Sequence, residues 1–176
     1  MPRLFLALTV ITLSVSASAG STAPISPAPE YRLRLFHLLT GKRLDVVYRR
    51  GESYVPEALE QLDDYLKDYR TGDVHRYDPR VFDLLHDLEN KVGHANSEID
   101  IVCGYRSPWR NALLRGHNHR VAGHSLHMQA MAVDIRIPGV STKRLRDAAL
   151  SLRRGGVGCY ADSAFVHVDV GRVRRW

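Results

Sequence analysis

Two histidines and two aspartates stand at spacings that could do chemistry. His167 and Asp169 are two residues apart in Phe165–Val170, where Val166, Val168 and Val170 alternate with them. Side chains at i and i+2 of a strand share a face. The imidazole and the carboxylate therefore point one way while the valines fill a core. Asp134 holds a similar polar position in Met131–Ile137, with Ala132 and Arg136 on its face and Val133, Ile135 and Ile137 on the other. His127 enters that strand from the preceding loop. If the two strands are neighbours, two imidazoles and a carboxylate converge, a donor set suited to a catalytic zinc ion with one open position. Ligand type alone does not choose zinc over iron or copper. The alternative is a polar sheet face on which His127, Asp134 and His167 merely hydrogen-bond one another. No H-E-x-x-H helix is present, so the common zinc-protease motif is excluded.

The chain has nine histidines. His37, His75, His86 and His94 are isolated and read as structural or solvent-exposed. His117 and His119 lie in a polar stretch, Arg115–Gly123, that reads as a loop over a cleft. Cys103 and Cys159 are too few for a disulfide scaffold or a Cys-rich zinc site. Both read as inward strand residues, which admits either one bridge or two buried thiols.

The elements that must position these groups are legible from period and punctuation. Tyr31–Tyr48 contains two extended runs around Thr40-Gly41-Lys42, a hairpin pattern. Pro56 opens a helix whose apolar stripe is Leu59, Leu62, Leu66 and Tyr69. Asp78-Pro79 opens a second, with Val81, Leu84, Leu85, Leu88 and Val92 inward and Gly93 as its stop. Glu98–Tyr105 alternates Ile99, Ile101 and Cys103 on one face. Ser107-Pro108 starts a short helix to about Leu114. Ser141 caps a last helix (Leu145, Ala148, Ala149, Leu152) that ends at Gly155-Gly156. With no internal repeat, residues 31–176 read as one α+β domain, helices packed on a mostly antiparallel sheet.

A chain of 176 residues suits one such domain. Its start has another purpose. Met1-Pro2-Arg3, the apolar run Leu4–Val15 and Ser16-Ala17-Ser18-Ala19-Gly20 have the charged, apolar and A-x-A regions of a secretory signal peptide cut after Ala19. A spanning helix needs about 20 apolar residues, so no stable membrane insertion is expected after cleavage; an uncleaved anchor is the alternative. Residues 20–30, rich in Pro, Ala and Ser, read as a flexible leader. The formal charge of +6 is scattered, without the aromatic-interleaved stripe of a nucleic-acid binder. It suits an anionic polymer, of which the cell wall is the obvious one for an exported bacterial protein, though charge alone does not establish that.

Three segments carry a resemblance. Ser125-Leu126-His127-Met128-Gln129-Ala130-Met131-Ala132-Val133-Asp134 resembles the S-x-H-x-x-G-x-A-x-D motif of the M15 zinc peptidases, the D-Ala-D-Ala carboxypeptidase group, whose fold hedgehog domains share. Cys103-Gly104-Tyr105-Arg106-Ser107 resembles their S-G-Y-R-S segment. Phe165–Gly171 resembles the F-V-H-V-D-x-G ending of the murein endopeptidase K-like branch. The resemblance covers residues 31–176. It implies a periplasmic enzyme that hydrolyses peptide cross-links of peptidoglycan, with the peptide stems as its partner. His127, Asp134 and His167 fall on the Zn2+ ligands, and Arg106 on the arginine that holds the substrate carbonyl or carboxylate. Asp169 is then expected as general base, the alternative being that it only orients a ligand histidine through the second ring nitrogen; Tyr105, Ser125 and His124 flank the site as packing or substrate-binding residues.

Three departures stand out. The family glycine is Ala130, which asks for φ below zero there. The first serine of S-G-Y-R-S is Cys103. A glutamate found three residues before the last histidine in the carboxypeptidase branch is Ala164. Two other readings stay open: a D,D-carboxypeptidase trimming a terminal D-Ala, and a non-catalytic binding module of the same fold.

Overall fold

Alternating apolar residues on five neighbouring strands explain the sheet. In the computed structural model, which describes residues 27–117 and 121–176, the strands are β1 (Glu30–His37), β2 (Arg43–Arg50), β3 (Ser53–Tyr54), β4 (Glu98–Cys103), β5 (Ala132–Arg136), β6 (Gly156–Tyr160), β7 (Phe165–Asp169) and β8 (Arg174–Arg175). They form one sheet in the order β3-β2-β1-β4-β5-β7-β6-β8. All pairs are antiparallel except β1 with β4 and β6 with β8. The helices are α1 (Pro56–Tyr65), α2 (Arg80–Lys91), α3 (Pro108–His117) and α4 (Thr142–Leu152). The class is therefore α+β, as the sequence implies.

The registers line the core residues up in a row. Leu35 lies beside Ile99, Ile101 opposite Ile135, and Ile135 opposite Val166. Val133 faces Val168, which faces Val157. These side chains are buried together with Leu84, Leu85 and Leu88 of α2 and Leu145 and Ala149 of α4. Each such side chain contributes roughly 1.5–3 kcal/mol by leaving water. The opposite face of β4, β5 and β7 is left for polar residues. Among the described residues no helix is long and apolar enough to cross a membrane.

Local chemistry shifts several expected boundaries. α1 stops at Tyr65 instead of continuing to Tyr69. The carboxylate of Asp68 accepts from the backbone N–H of Arg70 and Ser107, which turns the chain there. α3 runs to His117, so Arg115–His117 is helical rather than loop; His119 lies outside the described residues, as do the signal segment and most of the leader. Glu30, assigned to that leader, already belongs to β1. At α2, Asp78 accepts from the Arg80 N–H and so acts as the cap that Asp78-Pro79 suggests. β3, β6 and β8 are short, and their residues carry no long alternation to announce them.

Two corrections bear on the site. The ladder between β4 and β5 is irregular between Ile101 and Cys103, so Ile101 faces Ile135 but Cys103 faces Asp134. The bulge turns Cys103 from the expected core face to the polar one. Ala130 has φ 50 and ψ 40, the left-handed conformation, where φ below zero was expected. It ends a 3-10 turn (Leu126–Gln129), and its N–H donates to the His127 carbonyl. An alanine bears a cost of about 1–2 kcal/mol in that conformation, held here by full burial. Both cysteines are free thiols.

Candidate metal centre

The polar face carries one row of side chains across three strands. Cys103 on β4 faces Asp134 on β5, which faces His167 on β7. Asp169, two residues on from His167, faces Ala132. A methyl group is all that β5 presents there, and it is itself fully buried. His127 arrives from the 3-10 turn, which Ser125 caps by accepting from the His127 N–H. The turn lays the His127 imidazole against the row, its ring centroid 4.9 Å from that of His167.

The donor atoms converge. His127 Nε2 is 3.2 Å from Asp134 Oδ1 and 3.1 Å from His167 Nδ1, and His167 Nδ1 is 2.9 Å from the same carboxylate oxygen. One cation could reach all three at the usual Zn–N and Zn–O distances of roughly 2.0–2.2 Å. Cys103 adds a thiol to the group, its donor atom within 4.8 Å of those of His127 and Asp134. The outer ring nitrogens are engaged. His127 Nδ1 lies 2.8 Å from the Gly104 carbonyl oxygen and His167 Nε2 lies 3.1 Å from Asp169 Oδ2. An acceptor at the outer nitrogen holds a proton there and leaves the inner nitrogen a lone pair for a metal. Donor types, spacing and tautomers thus fit a divalent cation such as zinc.

Electrostatics agree with that fit. Burial disfavours a charged His127, but the Asp134 carboxylate and Cys103 outweigh it and push its pKa up to about 10. Asp134 is likewise buried, yet His127 and His167 hold it well below the usual carboxylate range. A metal ion entering the cluster takes the place of the His127 proton.

The remaining expected residues divide. Arg106 stands beside the cluster, with Nη1 donating to Asn111 Oδ1 at 3.3 Å and Nη2 4.0 Å from Asp134 Oδ2. Nη2 also reaches Cys103 Sγ at 3.6 Å, and among the described residues the buried Nε has no partner. Ser125 is spent on the turn, and Tyr105 is buried in the core cluster against His75. Both take the packing side of the two roles expected of them, since each is buried. His124 is exposed, and His117 bonds the Leu113 carbonyl oxygen at the end of α3. His37 is buried, and its Nδ1 accepts from the Leu39 N–H.

Of the two readings of Asp169, its contacts suit the orienting one. It is fully buried, and its carboxylate accepts from the N–H groups of Gly156 and Gly171 at 2.9 Å, from Arg174 at 2.7 and 3.0 Å, and from His167. Burial would raise its pKa, but these donors hold it well below the usual range. A carboxylate so occupied, on the outer side of the His167 ring, has no free lone pair for a proton from the cluster side. It orients His167 instead. Position 164, where the other branch has glutamate, lies in the β6–β7 turn; three strand residues put it roughly 10 Å along the chain from His167.

Sequence reasoning missed Arg174 and Trp176. The Trp176 ring lies 5.2 Å from that of His167, and Arg174 stacks on it at 4.9 Å. Arg174 lies in the short basic run Arg172–Arg175 and Trp176 follows it, with no spacing that points to the site.

Fold and site together are those of an M15-type peptidase. The chain belongs to the peptidoglycan L,D-endopeptidase MepK family, whose model matches residues 26–176. It is 38% identical over 175 residues to the probable peptidoglycan L,D-endopeptidase MepK of Haemophilus influenzae, covering 99% of this chain and 94% of that protein. It is 37% identical over 151 residues to the peptidoglycan L,D-endopeptidase MepK of Escherichia coli strain K12, covering 86% and 82%. The Shigella flexneri protein of that name matches to the same extent. No solved structure matches the chain.

Proposed function

We propose that the chain is a zinc-dependent peptidoglycan endopeptidase, exported to the periplasm and freed of residues 1–19, that hydrolyses an L,D peptide bond in the cross-links between peptide stems. The observation that carries this reading is the triangle of donor atoms on His127, Asp134 and His167, each 2.9–3.2 Å from the others. Zn2+ held there would supply Lewis-acid polarisation of the scissile carbonyl and make water a competent nucleophile near neutral pH.

The protein's own groups do the rest. Gly104 and Asp169 fix the tautomers of His127 and His167 from outside the cluster. Arg106, its guanidinium beside the cluster, binds the carbonyl oxygen or a neighbouring carboxylate and stabilises the charge that develops in the transition state. Asn111 holds the guanidinium in place. The names of the relatives, all L,D-endopeptidases, support an internal bond over a terminal D-Ala. Purified cross-linked muropeptide dimers and free pentapeptides, offered separately, test this. Cleavage of the dimer with the pentapeptide untouched is expected; release of terminal D-Ala alone would mark a carboxypeptidase, and turnover of neither a binding module.

A further inference from the structure

The strand β8 leads into an indole that the proposed mechanism leaves unused. Trp176 is 51% exposed, yet it is held at four points. Its N–H donates to the Val157 carbonyl at 3.2 Å, its carbonyl accepts from the Cys159 N–H at 3.1 Å, and its Nε1–H donates to the Tyr160 hydroxyl at 3.0 Å. Its ring rests on Gly158, where a Cβ would come within 2.6 Å of Cε2. Gly158 is the β6 partner of His167. The indole therefore extends the row Cys103, Asp134, His167 by one position and stands against the His167 imidazole.

A large apolar ring left half in water contributes little to folding, and it costs little entropy to place when it is already pinned. Beside a reacting centre, a rigid aromatic surface with a polar edge is a contact for a ligand's apolar parts. We propose that Trp176, seated on Gly158, is a substrate-binding wall of this site that packs against the aliphatic part of the peptide next to the scissile bond. The inference rests on the endopeptidase reading above.

The zinc-loaded full chain, its Trp176→Ala, Trp176→Phe and Gly158→Ala variants, and a cross-linked muropeptide dimer as probe test it. Gly158→Ala keeps the indole but forces it off its floor, so it separates the wall from the residue itself. For Trp176→Ala and Gly158→Ala the expected result is KM raised about tenfold or more, as loss of one aromatic contact implies, with kcat within about threefold and zinc content unchanged. Trp176→Phe should recover most of the KM. In a Trp109→Phe background Trp176 is the sole tryptophan, and its emission should shift on mixing with the dimer. Unchanged KM in Trp176→Ala, or a fall in kcat that follows lost zinc, would overturn the proposal and leave Trp176 a prop for His167. A wild-type chain that cleaves no dimer would sink the endopeptidase reading instead, while the emission shift would still report whether the wall binds the peptide.

Discussion

At the scale of single residues, the most informative group is Asp169. Its i+2 spacing from His167 puts both on one face, but the same spacing sets it behind the ring, where His167, Arg174 and two backbone N–H groups saturate it. Asp169→Asn offers an amide N–H to a ring nitrogen that already carries a proton. It should weaken zinc binding by about 10–100-fold, the usual effect of losing a carboxylate behind a ligand histidine. Activity should then return to within about tenfold of wild type at saturating zinc. A loss of about 10² or more that persists at saturating zinc, the signature of a missing proton acceptor, would restore Asp169 as the base. Arg106 is argued the other way. Arg106→Lys keeps the charge but loses the planar fork, so kcat/KM should fall by about 10–10² with zinc and fold retained. Steady-state kinetics at matched zinc occupancy check this, and unchanged kinetics would reduce Arg106 to a partner of Asn111.

Elements decide what residue spacing could not. Alternation in Glu98–Cys103 was enough to read β4, yet it assigned Cys103 to the core because a bulge leaves no mark on the pattern. Pro and Gly punctuation located α2 and α4 closely, while α1 overran because Leu66 is buried in the core after the helix has already stopped. The last turn of α2 holds a buried acid. Glu89 is 1% exposed, with Oε1 accepting from the Asn96 N–H at 3.3 Å and Oε2 without a partner. Burial pushes its pKa up to about 7, against the pull of the Asn96 N–H. For an acid raised in the folded state, the unfolded chain loses its proton first. Stability is therefore full below about pH 4.5, falls as pH rises towards 7, and levels off above it. The span is on the order of 3–4 kcal/mol. Glu89→Gln should flatten that slope and stabilise the chain above pH 7, as read by denaturant unfolding at several pH values. A variant as pH-dependent as wild type would place the slope elsewhere.

For the whole molecule, the sequence carried more of the layout than of the contacts. His127, Asp134 and His167 could be grouped because two strands with a valine-rich face had to share one core, and the structure makes β5 and β7 neighbours. Arg174, Trp176 and the Gly104 carbonyl oxygen could not. They reach the site through pairing of a two-residue strand at the sheet edge and through a turn, neither of which has a period to read. The proposed export predicts a mature N-terminus at Gly20, read by mass spectrometry of the periplasmic fraction. Met1 retained in a membrane fraction would mark an anchor.

The central claim is that a metal held by His127, Asp134 and His167 cuts peptidoglycan cross-links. Incubating the purified mature chain with intact sacculi, and following soluble muropeptides by chromatography, tests it most directly. The account predicts release that a chelator abolishes, that about one equivalent of zinc per chain restores, and that His167→Ala lacks at any zinc concentration. Release that persists in excess chelator, or that survives in folded His167→Ala, would contradict it.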